Sequence, residues 1–286
     1  MCQLLGMNAN VPTDICFSFT GFRRRGGDTD HHADGWGIGF FEDQGCRVFI
    51  DTEASVNSPI AELVSAYPIR SRHVVAHIRK ATQGQIRLQN THPFQREIGG
   101  RYWLFAHNGD LKDFRGRPGR ILPVGDTDSE EAFCHLLNQV LADHPDGRPD
   151  EAGLLASVQR VAREVSRHGT FNFLLSNGEW LLAHCSTQLA WIVREAPFSV
   201  AHLSDDDVSV DFRQQTGPDD RVAVIATAPL TDNEAWNIIA PQTLLLFRDG
   251  RLAASLPTAF EAPPVRQGTP VAHIAAEHAI PPALIA

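Results

Sequence analysis

Between His73 and Arg79 the chain alternates: Val74, Ala76 and Ile78 fall on one side, and His73, Val75, His77 and Arg79 on the other. A period of two belongs to a strand. The pattern predicts one face in a core and the other at a site. Apolar runs predict further strands at Cys2 to Met7, Trp36 to Phe41, Cys46 to Ile50 and Tyr102 to His107. The second half is mostly strands, at 171–176, 179–184, 189–193, 221–227, 243–248 and 251–255. Ser176-Asn177-Gly178 and Arg248-Asp249-Gly250 are turn signals between pairs of them. The spacing predicts amphipathic helices over 128–143 and 151–167, and shorter ones over 13–24 and near 58–66. Gly26 to Gly35, rich in Gly, Asp and His, reads as a loop.

No internal repeat and no linker interrupts residues 2–255, so these form one domain. A strand-rich layout around a central helical pair predicts an α+β fold with layered sheets. Residues 256–286 differ: they hold six of the 18 prolines, few charges and no strong period. They read as a loosely ordered tail.

Composition narrows the function. A chain of 286 residues that is 43% hydrophobic and 21% charged can bury a core, which excludes disorder as its main state. Its net charge of −9 argues against nucleic acid as a partner, leaving only the short basic run Arg23, Arg24 and Arg25. Neither Lys80 nor Lys112 follows a glycine, so a phosphate loop is excluded. No apolar run reaches the ~18 residues of a membrane span. Met1 to Asn10 has no basic region and does not read as a signal peptide. Five widely spaced cysteines without a Cys-x-x-Cys pair argue against a zinc site and point to a reducing, cytoplasmic setting.

Four short motifs carry chemistry. Cys2 follows the initiator methionine, and a small second residue permits methionine removal. The mature chain would then carry a thiol and an α-amine on one residue, the amine with a reference pKa of ~7.7–8.0. The plain alternative is a small buried residue in the first strand. Arg79, in Ala76-His77-Ile78-Arg79-Lys80-Ala81-Thr82, sits at a strand end where its guanidinium suits a carboxylate, or a surface ion pair. His107-Asn108-Gly109-Asp110 follows an apolar strand and reads as a tight turn. The same residues could present an amide and a backbone N–H to an oxyanion. In Gly125-Asp126-Thr127-Asp128-Ser129-Glu130, Thr127 and Glu130 match a capping box. Asp128 then becomes the first helical residue, free to present its carboxylate to an amine.

In this order and spacing, the four motifs resemble the class II, N-terminal nucleophile glutamine amidotransferases. His32-Ala33-Asp34-Gly35-Trp36-Gly37 resembles the Asp-Gly-Trp-Gly loop of their stand-alone branch. Thr91-His92-Pro93-Phe94 and Ala228-Pro229-Leu230-Thr231 add to the likeness, which covers roughly residues 2–255. The resemblance implies a four-layer α/β/β/α sandwich of the N-terminal nucleophile hydrolase type. It implies Cys2 as nucleophile with its own α-amine as base, and Asn108 and Gly109 as the oxyanion hole. It implies Arg79 for the glutamine α-carboxylate and Asp128 for its α-amine. Thr82 and the backbone of Lys80 are implied as further substrate contacts.

The expected reaction is hydrolysis of the glutamine side-chain amide to glutamate and ammonia, with no cofactor. The cluster His31, His32 and Asp34 lacks zinc spacing and reads as a loop rather than a metal site. Lys80 and Gln83 stand where some relatives carry Trp and His, which leaves a γ-glutamyl conjugate open as the substrate. A catalytically idle binding protein is the third reading. About 250 residues of amidotransferase-like sequence leave no room for a fused synthase domain. A separate synthase subunit, as ammonia acceptor, and a homo-oligomer therefore stay open as partners.

Overall fold

The computed structural model describes residues 2–81 and 84–259. In chain order its strands are β1 (Gln3–Thr13), β2 (Trp36–Glu42), β3 (Gly45–Asp51), β4 (Ser71–Ile78), β5 (Phe94–Ile98), β6 (Arg101–Leu111), β7 (Gly169–Ser176) and β8 (Leu181–Cys185). They continue with β9 (Ala190–Glu195), β10 (Val200–His202), β11 (Ser209–Asp211), β12 (Arg221–Ala226), β13 (Asn237–Ile238), β14 (Thr243–Arg248) and β15 (Arg251–Pro257). The helices are α1 (Cys16–Arg24), α2 (Pro59–Ala66), α3 (Asp128–Asp143) and α4 (Glu151–Val165).

Two sheets stack face to face. One runs β13-β9-β12-β1-β4-β2-β3 and the other β15-β14-β8-β7-β6-β5. Side-chain alternation sorts the core into three layers. Leu5, Met7, Val74, Ala76 and Ile78 pack outward against Phe19 and Phe22 of α1 and Ala61 and Val64 of α2. Leu4, Val75, Leu104, Ala106 and Leu174 fill the space between the sheets. Phe105, Phe171, Phe173 and Leu182 pack outward against Phe133, Leu137, Leu154 and Val158 of α3 and α4. This is the expected α/β/β/α sandwich. Each buried Leu or Phe contributes about 1.5–3 kcal/mol of transfer free energy.

Sequence and structure part company in places with identifiable causes. β1 extends to Thr13, which pairs with Ser71, so α1 starts at Cys16 rather than 13. β8 starts at Leu181 because the Glu179 and Trp180 N–H groups donate to Asn177 Oδ1, keeping both in the turn. The short strands β5, β10, β11 and β13 had no clear alternation to announce them. β15 runs to Pro257, and Thr258 is buried beside His184, two and three residues past the boundary drawn at 255.

The tight-turn reading of Asn108-Gly109 is corrected. Both lie inside β6, Asn108 opposite Asn172 and Gly109 opposite Phe171. Gly109 is there for a close approach: a Cβ would sit 1.8 Å from the Thr170 carbonyl oxygen. Gly37 in β2 serves similarly, since a Cβ would lie 2.3 Å from His92 O. Gly37 thus belongs to the strand expected from Trp36 to Phe41. No helix among the described residues is long and apolar enough to cross a membrane.

Candidate active site

β1 runs antiparallel to both its neighbours, with Gln3 opposite Ile78 and Leu5 opposite Ala226. The start of β1 therefore meets the ends of β4 and β12. Cys2, Arg79, Lys80 and Thr227 converge there, although 225 positions separate the first from the last.

Cys2 is buried, and its Sγ accepts a hydrogen bond from the Lys80 N–H at 3.2 Å. The Lys80 carbonyl oxygen is 3.4 Å from the same sulfur. Burial pushes the thiol pKa up, while the Lys80 N–H and the Arg79 charge pull it down and Asp128 pushes it further up. A thiol in that state needs a base to become a nucleophile. The Lys80 side chain itself is exposed, so its contribution at the sulfur is its backbone.

Arg79 is buried and donates to the carbonyl oxygens of Gln85, at 3.2 Å, and Gly84, at 3.4 Å. Burial lowers its pKa, and Cys2, Asp34, Asp126 and Asp128 offset part of that. Its backbone extends the β2–β4 pairing: Arg79 N donates to Gly35 O and Asp34 N to Arg79 O. Asp34 closes the loop by accepting from Ala81 N at 2.8 Å.

Asp128 occupies the first position of α3, as the capping argument requires. Thr127 Oγ1 accepts from Glu130 N at 3.2 Å. The reciprocal half of the capping box is not made. Glu130 instead accepts from Gly125 N at 2.6 Å and pairs with Arg96. Asp128 Oδ2 accepts from Leu111 N at 2.8 Å, which fastens the end of β6 to the helix. Its carboxylate also lies at the positive end of α3.

Five of the sequence-derived residues, Cys2, Arg79, Lys80, Gly109 and Asp128, line one cavity of about 20 Å³, room for a single water. Asn108 is fully buried behind it, with its Nδ2 3.4 Å from Thr227 Oγ1. Thr82 lies outside the described residues. Two larger cavities, of about 640 and 680 Å³, are lined by none of these groups. The matched chemistry, not size, marks the site.

Several residues at this site were not singled out from the sequence. His92, His107 and Ser129 also line the cavity. His92 Nδ1 lies 3.2 Å from His77 Nδ1, and burial holds both imidazoles well below the usual histidine range. His107 Nε2 donates to Thr170 O at 3.0 Å, so its neutral ring accepts at Nδ1 from the Ser129 hydroxyl, 2.8 Å away. His107, like the other two, is kept neutral chiefly by burial. The signal for His92 was the Thr-His-Pro-Phe string; for Thr227 there was none.

One surface reading changes. Of the Arg23–Arg25 run, the part-exposed Arg24 pairs with Asp28 and Asp206, and Arg25 is buried on Asp205 at 2.7 Å and on the Ala228 and Pro229 carbonyls. Arg25 anchors the Ala-Pro-Leu-Thr string. His32 faces Asp30 at 3.0 Å while Asp34 faces Ala81. Among the described residues no group of three or more His, Cys, Asp or Glu is arranged to hold a metal ion.

The family model described as "Glutamine amidotransferases class-II" matches residues 1–270. YafJ of Escherichia coli (strain K12) is 54% identical over 248 residues, 86% of this chain and 97% of that protein. A crystal structure of a predicted glutamine amidotransferase from Pseudomonas aeruginosa PA01 superposes with a TM-score of 0.72 at 46% identity, covering 88% of this chain and all of that one. A gamma-glutamyl-hercynylcysteine sulfoxide hydrolase from Mycolicibacterium smegmatis is 30% identical over 227 residues, 78% of this chain and 82% of its own.

Proposed function

This chain belongs to the class II glutamine amidotransferases, and on that premise we propose that it hydrolyses the side-chain amide of glutamine through a thioester on Cys2. The observation that carries the reading is one cavity holding a thiol, a buried arginine and a helix-terminal carboxylate. Free glutamine offers one carboxylate and one ammonium. Arg79 and Asp128 give each its opposite charge, and the side-chain amide is left to reach Cys2.

Met1 is removed, and the exposed α-amine of Cys2 takes the thiol proton. The sulfur attacks the amide carbon, and the C–O π pair moves onto oxygen. Asn108 and the Gly109 N–H stabilise that oxyanion. Collapse expels ammonia, which leaves with the proton held by the amine. Water then attacks the γ-glutamyl thioester, giving one of its own protons through the α-amine to the departing sulfur, and glutamate is released. Thr82 and the Lys80 backbone complete the substrate contacts. The products go to water or, for the ammonia, to a separate synthase subunit.

A second reading, hydrolysis of a γ-glutamyl conjugate, shares every step to the thioester. The exposed Lys80 side chain at the cavity supports it, because it would meet the leaving group of a larger substrate. The hydrolase relative from M. smegmatis supports it too. A panel of glutamine and γ-glutamyl amides, with ammonia and glutamate both measured, tests the two. Glutamine turning over fastest supports the first reading; a bulky amide doing so replaces it with the second.

A further inference from the structure

Thr227 follows β12 and has no role in the chemistry above, yet it touches both halves of the site. Its Oγ1 accepts from Leu4 N at 2.9 Å, and its own N–H donates to Leu4 O at 3.1 Å. Leu4 lies two residues from Cys2, which directly precedes β1. Across the gap between the sheets, the same oxygen faces the Asn108 amide at 3.4 Å. Thr227 is thus the side chain shared by the strand that follows the thiol and the strand that bears the oxyanion residue.

The two ends of a carboxamide have nearly the same shape, so hydrogen bonding decides which end points where. With Nδ2 toward Thr227, the contact is long and Asn108 Oδ1 is buried with no partner. Thr227 Oγ1 then receives two donors, and no acceptor among the described residues takes its own proton. With the amide turned over, the Thr227 hydroxyl is satisfied as both acceptor and donor. Thr227 accepts from Leu4 N and donates to Asn108 Oδ1. The two Nδ2 protons then occupy the side that has no protein partner, which is where an oxyanion needs donors. The Asn108 backbone is pinned independently, its carbonyl oxygen accepting from Asn172 Nδ2 at 3.2 Å. The side-chain torsion is therefore the freedom left for Thr227 to fix.

We infer that Thr227 is a positioning residue: its hydroxyl holds Asn108 Oδ1 and so aims the Asn108 N–H groups at the oxyanion. This rests on the oxyanion role proposed for Asn108. Thr227 itself touches no reacting atom.

The test combines kinetics with an activity-independent measurement. Removing an oxyanion donor costs about 10²–10³ in rate. Thr227→Val, which keeps the shape but loses the hydroxyl, should lower kcat by roughly 10–100-fold with KM within about twofold. Thr227→Ser should restore kcat to within about threefold of the parent. In an Asn108→Ala background Thr227→Val should lower kcat no further, since nothing remains to aim. Full additivity there, or an unchanged kcat in Thr227→Val alone, overturns the inference. Neutron diffraction from deuterium-exchanged crystals of the whole protein should find two deuterons on the Asn108 atom remote from Thr227. Two deuterons on the near atom overturn it whatever the kinetics show. The expected neutron result combined with an Asn108→Ala enzyme of normal kcat would instead sink the oxyanion reading, leaving the orientation intact.

Discussion

The Lys80 N–H donates to the sulfur of Cys2 across 3.2 Å. The contact comes from the antiparallel register of β1 and β4, not from the lysine side chain. Lys80→Ala should therefore leave kcat for glutamine within about threefold, whereas Lys80→Pro, which deletes the N–H, should cost 10-fold or more, roughly a single charge-assisted hydrogen bond. Steady-state kinetics on the two variants check this. An inactive alanine variant would give the ammonium a role that its exposure argues against.

Arg79 and Asp128 bind parts of glutamine that do not change during the reaction. Removing either should raise KM far more than it lowers kcat. Arg79→Ala and Asp128→Asn should each raise KM by about 10–100-fold, the value of a charge-assisted contact. Measuring both against glutamine and against a γ-glutamyl amide compares them directly. A KM unmoved by Arg79→Ala would place the α-carboxylate elsewhere.

Acid should unfold this protein early. His73 and His184 are buried and neutral, their pKa pushed down from 6.5 to about 4, and burial holds His77 and His92 well below 6.5 too. Unfolding exposes these rings to water, where each takes up a proton below its ordinary pKa. Above pH 6.5 both states are neutral and the histidines give no slope. Below it the unfolded chain binds more protons, so stability falls with pH until the folded pKa is reached. The slope is about 1 kcal/mol per pH unit for each ring. Thermal midpoints should be flat above pH 6.5 and fall steeply from there to pH 4. His73→Gln, whose contacts to Asn8 are long at 3.4 and 3.5 Å, should make that fall shallower. Identical slopes in parent and variant would contradict the assignment.

Glu130 is fully buried and ties the loop before α3 to Gly125 and Arg96. Breaking a buried pair by removing one partner costs about 3–5 kcal/mol. Glu130→Ala should lower the denaturation midpoint accordingly, since it strands Arg96 and frees the segment that delivers Asp128. A shift below about 1 kcal/mol would mean that this pair is worth no more than a surface one.

The sequence made the layers legible because the central strands of the sandwich bury side chains on both faces or alternate cleanly, as from His73 to Arg79. It also placed Asp128 at the start of α3, since Thr127 is a capping residue with a single geometric use. What it hid depends on contacts far along the chain. Asn108-Gly109 looks like a turn because nothing local reveals that Thr170 O presses on Gly109. Glu130 looks like half of a capping box because Arg96 and Gly125 compete for it only once folded. Thr227 has no motif at all, and its position follows from the register of β12 against β1.

The central claim is that Cys2 carries the acyl group with its own amine free. Treating the protein with diazo-oxo-norleucine and mapping the adduct by mass spectrometry tests it most directly. The account predicts one adduct, on the sulfur of an N-terminal Cys2 from which Met1 is gone, and none in Cys2→Ala. An adduct on Cys16, Cys46, Cys134 or Cys185, or labelling of active protein that retains Met1, would contradict it.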